Sequence, residues 1–245
     1  MSRTSGQPPR LVFADPGEAA ELAALLGRLL RWEKAAAARL RATGDGVLGV
    51  FARPARFEVL AVRTVRLTEP AQLDATVSAG ELLEGLDEAS ESVSVPAAVT
   101  GPPWAGLLPP RGGWRPVGEL PYESVRAAAA SVVAEFRRRS EALAPGERTR
   151  EALDALAEEI WSRPLGGGTG LPLRAVHAAQ ALGMLRSRGP APAAGPQGPP
   201  PATGGRDAAV AVLAAGTWLR LRTPYGSVAV RGAGRGVPGL SVTPL

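Results

Sequence analysis

The most glycine-rich loop of the chain and its only histidine lie in one stretch, RPLGGGTGLPLRAVHAAQALGML at residues 163–185. A glycine loop before a helix can bind phosphate through its backbone N–H groups. The Walker pattern, however, requires a Gly-Lys pair followed by Ser or Thr, and this loop has no lysine. A dinucleotide loop requires a preceding strand and a G-x-G-x-x-G spacing, which Gly166, Gly168 and Gly170 do not match. We therefore interpret this loop as a connection between two helices, with Pro172 in the first turn of the second.

His177, on the helix after that loop, is the other residue in this stretch that could do chemistry. A catalytic histidine needs an orienting acid and a nucleophile, and a metal site needs several ligands. Residues 160–206 contain no carboxylate, and the chain has no cysteine and no second histidine. We therefore expect His177 to be a core or interfacial residue. We also predict that the protein is not an enzyme and uses no cofactor and no metal.

Positive charge is concentrated in the last third of the chain. The net charge is +5, but residues 160–245 carry nine arginines against one acid, Asp207. Lys34 is the only lysine among 28 basic residues, a bias typical of a GC-rich coding sequence. If this charge serves nucleic acid or another anionic partner, the contacts are predicted at Arg186, Arg188, Arg206, Arg220, Arg222, Arg231 and Arg235, with aromatic contacts at Trp218 and Tyr225.

The first hundred residues predict a helix followed by strands. Asp15, Pro16 and Glu18 have the types and spacing of a capped helix start, followed by leucines at intervals of three and four. The pattern then changes to short runs of β-branched residues separated by turns, which places strands near 36–42, 47–53, 57–67 and 73–77. Ser78 and Glu81 form a second capping box. The order of helix, three strands and TVSAGELLEGL is similar in outline to one repeat of a sliding-clamp subunit, a resemblance that concerns the fold alone.

The rest of the chain alternates between proline-rich and regular segments. Prolines and glycines in the middle of the chain predict a loop, but Trp104 and Trp114 indicate that part of it docks. Two helices follow, within PYESVRAAAASVVAEFRRRSEALA and TREALDALAEEIWSRP. The segment RSRGPAPAAGPQGPPPATGGRD has too little apolar surface to order itself. A β pattern resumes after it, with a turn at residues 224–226 that puts Trp218, Arg220 and Arg222 on one face.

Together these patterns predict an α+β protein: an N-terminal helix with an antiparallel meander, a helical middle section, and a C-terminal β-hairpin after a Pro/Gly-rich insert. The hairpin should pack on the helices or extend the first sheet, because two strands alone are marginally stable. The predicted organisation is a disordered N-terminus at 1–10, an α+β domain at 11–95, a wrapping loop at 96–117, a helical section at 118–187, a disordered insert at 188–206, and the hairpin with a basic tail at 207–245.

Three classes of function remain open. The chain has no cysteine, no signal-peptide pattern at its N-terminus and no apolar run of membrane-spanning length, so we expect a soluble cytoplasmic protein without membrane partners. A regulatory or adaptor protein that binds another protein is favoured by the proline-rich insert and the hairpin edge. Nucleic-acid association is the alternative, supported by the basic last third. The third class is an enzyme whose site is assembled from distant residues.

Overall fold

The structure is a computed structural model that describes residues 9–186 and 209–232. The elements of its first half are β1 (Arg10–Val12), α1 (Glu18–Trp32), β2 (Ala37–Thr43), β3 (Val47–Ala52), β4 (Leu60–Arg66), β5 (Gln72–Ser78), α2 (Ala79–Glu84), β6 (Leu86–Asp87) and β7 (Ser92–Ser94). Those of its second half are a 3-10 turn (Pro103–Gly106), β8 (Arg115–Pro121), α3 (Tyr122–Ala142), α4 (Arg150–Ser162), α5 (Leu173–Ala181), β9 (Ala209–Ala215), β10 (Trp218–Thr223) and β11 (Gly226–Arg231). The predicted α+β class is confirmed.

Eight strands form one antiparallel sheet in the order β5-β2-β3-β4-β11-β10-β9-β8, and β1, β7 and β6 form a small separate sheet. Each half contributes a three-stranded meander, β2-β3-β4 or β9-β10-β11. The two meanders meet through their last strands, where Val62 pairs with Ser227, Ala61 with Val228 and Leu60 with Ala229. The C-terminal strands therefore extend the N-terminal sheet.

The helices cover one face of this sheet. Leu22, Leu26 and Leu29 of α1 are buried in one cluster with Leu40 and Val50 of the first meander. In the second half, the core joins α3 and α5 to the strands through Val125, Val176, Ala179, Val212, Leu221 and Val228. Alternate residues of each strand supply this core, so the intervening residues face away from the helices. We call that opposite side the outer face.

The segment between β7 and β8 crosses the outer face. Trp104 and Leu108 pack on Leu60 and Val62 of β4 and on Ala229 of β11. Further along, the Trp114 ring lies against the guanidinium of Arg220 on β10. Both tryptophans dock, as expected, and the segment links the two halves across the sheet.

Three local features differ from the sequence-based expectation. The predicted capping box at the start of α1 is not formed, because the helix begins after Gly17. The carboxylate of Glu91 instead accepts hydrogen bonds from Gly17 N (2.6 Å) and Ala19 N (2.9 Å). Strand β8 occupies the end of the predicted wrapping loop at 96–117 and the start of the predicted helical section at 118–187. Its Pro116 and Pro121 are accommodated because the strand lies at the sheet edge. The terminal unit has three strands, since AVAVLAA at 209–215 is β9 and pairs with both β8 and β10. The Ser78 cap is present, accepting from Glu81 N at 3.3 Å.

Some predictions lie outside the described residues: those for residues 1–8, for 187–208 and for the chain beyond Gly232. In the part of the chain that the structure describes, no helix has both the length and the apolar character needed to span a membrane.

Candidate functional site

The structure brings together four of the residues predicted to contact an anionic partner. Trp218, Arg220 and Arg222 share the outer face of β10, and Arg231 is the cross-strand neighbour of Trp218 on β11. Arg186 and Tyr225 lie apart from this group, because the guanidinium of Arg186 sits 4.0 Å from the Tyr225 ring and pairs with Glu21 of α1. The remaining three, Arg188, Arg206 and Arg235, lie outside the described residues.

The four clustered residues and Trp114 form what we call the Arg–Trp face. Arg231 lies over the ring of Trp218 at 5.5 Å, and Arg220 over that of Trp114 at 5.6 Å, both within cation–π range. Burial, with a smaller effect from the charge of Arg222, lowers the pKa of Arg220. Among the described residues, no carboxylate pairs with any of its three arginines. The positive charge of this face is therefore available to a partner.

A small pocket of about 280 Å³ adjoins the Arg–Trp face. Its apolar walls include Leu60, Trp104, Leu107, Trp218 and Ala229. Arg231, Arg53 and Glu58 also line it, and Glu58 is paired with Arg174. The sheet contributes the floor, and the crossing segment contributes Trp104 and Leu107. An apolar hollow between two indole rings is thus placed next to unpaired cations.

The second candidate region is built around a row of aromatic rings that sequence patterns did not reveal. Trp32, Phe57, His177, Trp161 and Phe136 follow one another with centroid separations of 5.3, 5.0, 5.2 and 5.1 Å. We call this the aromatic row. Its members come from α1, the β3–β4 connection, α5, α4 and α3, so the row joins the two halves of the chain on the helix side of the sheet.

The β3–β4 connection positions the N-terminal part of this row. A tight turn, closed by a hydrogen bond from Phe57 N to Pro54 O (3.3 Å), directs Phe57 toward His177. The next residue, Glu58, has φ 50, a left-handed conformation that is uncommon outside glycine. Its carboxylate is held by Arg174 of α5 at 2.5 Å, and Arg174 also binds Glu158 of α4 at 2.5 Å. Ion pairs with helices of the second half of the chain thus hold a strained turn in the first half.

Beside the row lies a cleft of about 840 Å³, which we call the aromatic cleft. Phe57, Phe136 and Trp161 line it. Four arginines and three acids also line it: Arg53, Arg56, Arg150, Arg174, Glu58, Asp154 and Glu158.

Charge around the aromatic cleft is unevenly neutralised. Arg174 is shared by two glutamates, and Arg150 lies 3.6 Å from Asp154. Arg53 and Arg56 are exposed and have no ion pair within the described ranges. The cleft therefore combines an apolar aromatic floor with two free cations at one end.

His177 lies within the aromatic row as a packed, half-buried side chain. Burial lowers the pKa of its imidazole, and Nδ1 has no hydrogen-bond partner among the described residues. Trp161 Nε1, on the neighbouring ring, also lacks one there. Over residues 9–186 and 209–232, no three His, Asp or Glu side chains are grouped as metal ligands. The imidazole therefore has neither an orienting acid nor a set of metal-ligating side chains beside it in this part of the chain.

The glycine loop connects α4 and α5. It is closed by hydrogen bonds from Leu165 N to Leu171 O (2.6 Å) and from Leu173 N to Arg163 O (2.8 Å). Thr169 is buried, and a Cβ added to Gly118 of β8 would come within 2.8 Å of its methyl group. The loop therefore packs its tip against the edge strand.

Comparison with known proteins agrees with a division of this α+β chain into two halves. Residues 109–235, more than half of the chain, match the family model described as Domain of unknown function (DUF8185), and the chain belongs to that family. Residues 7–106 match a second model, Domain of unknown function (DUF8010). No curated protein and no solved structure matches the chain. The boundary between the two matched regions falls in the segment that crosses the outer face, just before β8.

Proposed function

We propose that this protein is a non-catalytic binding protein that acts through contacts with another protein, and that the aromatic cleft receives a segment of that partner. The observation that carries the proposal is the pairing of an accessible aromatic floor, made by Phe57, Phe136 and Trp161, with two unpaired arginines, Arg53 and Arg56. Aromatic and arginine side chains are the residues most enriched at protein interfaces.

The charges of the cleft favour a polypeptide over a polyanion. Glu58, Asp154 and Glu158 line the same cleft and offset three of its four arginines, so the cleft as a whole has little net positive charge to attract a chain of phosphates. A peptide can instead place one apolar side chain on the aromatic floor and a carboxylate near Arg53 and Arg56, where bidentate hydrogen bonds are available. The proposed partner segment therefore carries a large apolar residue close to an aspartate or glutamate.

The surroundings of the imidazole in the aromatic row also support a binding role rather than catalysis. His177 is packed between Phe57 and Trp161, and its lowered pKa reflects burial rather than a charged neighbour. General-base catalysis requires an oriented imidazole within hydrogen-bond reach of the proton that it removes. We assign His177 to the joint between the halves. We further propose that the protein acts in the cytoplasm, because a chain without cysteine needs no oxidising compartment to fold.

Selection from a random-peptide phage library against the full chain tests this proposal. We expect the selected peptides to share a large apolar residue next to an acidic one, and to lose binding to an Arg53→Glu/Arg56→Glu variant. The matched control is Arg137→Glu/Arg138→Glu, which makes the same charge change on the exposed surface of α3. Peptides without an acidic position, or equal binding to both variants, would show that the cleft is not the protein-binding site.

A further inference from the structure

We propose that the Arg–Trp face is a second binding site, separate from the aromatic cleft, and that it takes single-stranded nucleic acid. The face consists of Trp114, Trp218, Arg220, Arg222 and Arg231 on the outer side of the C-terminal strands. The pocket beside this face shares Arg53 and Glu58 with the aromatic cleft, but Trp218, Arg222 and Arg231 do not line that cleft. The proposal therefore does not depend on the protein-binding role of the cleft.

The first argument is the distribution of free charge over the outer face. On the N-terminal meander, Arg39 and Arg41 both lie near the carboxylate of Asp74, at 2.7 and 3.6 Å. Arg66 of β4 is 3.8 Å from Asp15. On the C-terminal strands, by contrast, no acid in the described ranges pairs with Arg220, Arg222 or Arg231. The outer face is therefore locally basic at its C-terminal end, and the electrostatic fit is to a polyanion.

The second argument is spacing. Trp218, Arg220 and Arg222 occupy alternate positions of one strand, so their side chains leave the sheet roughly 7 Å apart in a straight line. Arg231 lies on the neighbouring strand β11, opposite Trp218, so the row is two strands wide at that end. An extended sugar-phosphate backbone can follow such a row and present successive phosphates to it. A rigid strand holds the row in place before the ligand binds, which reduces the entropy lost on binding.

The third argument is the pocket beside the arginines. Trp104 and Trp218 both line it, and Leu60 and Ala229 form its floor. Bases stack on aromatic side chains regardless of sequence, and stacking combined with a basic track is how proteins bind single strands without sequence preference. A duplex keeps its bases paired and stacked inside, so it would leave this pocket empty. An acidic polypeptide would satisfy the arginines but has no planar base for the pocket.

The test is fluorescence anisotropy with the full chain and a labelled oligothymidine, a duplex of equal length and a labelled poly-glutamate. We expect the single strand to bind more tightly than the duplex or poly-glutamate. Its affinity should fall with salt by about 0.7 log units per phosphate contact for each tenfold rise in concentration.

Two variants localise the binding. Arg222→Glu/Arg231→Glu should weaken oligothymidine binding by roughly tenfold or more, because two phosphate contacts become repulsive. Arg137→Glu/Arg138→Glu changes the net charge equally, and we expect it to stay within about twofold of the unmodified chain. Trp218→Ala should also weaken binding, by roughly tenfold, because the pocket loses one of the two indole rings on which a base can stack.

Three results would overturn the proposal. These are equal losses in the two double variants, tighter binding of the duplex, and binding of poly-glutamate in preference to the oligonucleotide. Each variant is also tested for phage-selected peptide binding, where Arg222→Glu/Arg231→Glu should match the unmodified chain. This readout separates failure of the nucleic-acid site from failure of the cleft.

Discussion

The guanidinium of Arg63, on β4, donates to the carboxylate of Glu18 at 2.6 Å, beneath the first turn of α1. The same guanidinium donates to the carbonyl of Tyr225 at 2.9 Å, in the turn between β10 and β11. Only 7% of the Arg63 side chain is exposed. One buried cation therefore connects the first helix, the N-terminal sheet and the C-terminal hairpin. The two halves of the chain are thus held together by polar contacts as well as by apolar packing.

Removing this cation should destabilise the whole protein. We expect Arg63→Met to lower the free energy of unfolding by about 3 kcal/mol, because Glu18 and the Tyr225 carbonyl each lose a buried partner. Arg66→Met on the same strand is the control. Arg66 is 73% exposed and lies 3.8 Å from Asp15, so its loss should cost less than about 1 kcal/mol. Urea unfolding of both variants measures the difference. Similar midpoints would show that the buried Arg63 pair contributes no more stability than the exposed Arg66 pair.

The start of α1 depends on a residue far along the chain. Glu91 accepts from Gly17 N and Ala19 N, and its own φ of 43 is left-handed. We expect Glu91→Ala to cost about 1–2 kcal/mol, because two helix N–H groups lose an acceptor and a nearby negative charge. Glu91→Gly should cost less, because glycine adopts this conformation without strain. Thermal unfolding ranks the two variants, with the exposed Glu88→Ala as control; a larger loss for glycine would contradict this account.

The elements of the chain differ in how far their local sequence predicts them. Local patterns are sufficient for α1 and for strands β2 to β5, because each is defined by its own periodicity. The cap was assigned to neighbours of α1, whereas Glu91 supplies it from more than 70 residues away. Strand β8 could not be predicted from local sequence for a related reason. Its prolines are tolerated only because the strand lies at an edge, and edge position is a property of the complete sheet.

The two candidate sites differ in the same way. Trp218, Arg220 and Arg222 were predicted to share a face because the alternation along one strand places them there. The aromatic row draws five rings from five different elements, so no spacing within any one element reveals it. The pairing of β4 with β11, which brings the two halves side by side, is a long-range contact that local patterns do not encode.

The strand pairing between the halves has its own test at Gly226, the first residue of β11. Its φ is 139, and an added Cβ would lie 3.1 Å from the carbonyl oxygen of Val62 on β4. Gly216, in the turn between β9 and β10, has φ 55 and open space around it. We expect Gly216→Ala to cost about 1 kcal/mol from backbone strain alone, and Gly226→Ala at least about 2 kcal/mol. Hydrogen exchange should show lost protection in β4 and β11 only for Gly226→Ala; unchanged protection there would argue against this pairing.

His177 makes the stability of the protein depend on pH in a defined direction. Burial lowers the pKa of its imidazole in the folded chain below the ordinary value of 6.5. Below about pH 6.5 the unfolded chain therefore binds a proton that the folded chain resists. Stability should be constant above this pH, and should fall as the pH drops from about 6.5 toward the folded-state pKa.

The slope of that fall cannot exceed about 1.4 kcal/mol per pH unit for one group. His177 is the only histidine of the chain, so a His177→Gln variant should have lower stability at neutral pH but a flatter profile between about pH 5 and 7. Urea unfolding at a series of pH values measures both curves. Parallel profiles for the two proteins would show that the imidazole in the aromatic row is not the titrating group. Convergence at acid pH is the expected signature of a half-buried histidine packed between Phe57 and Trp161.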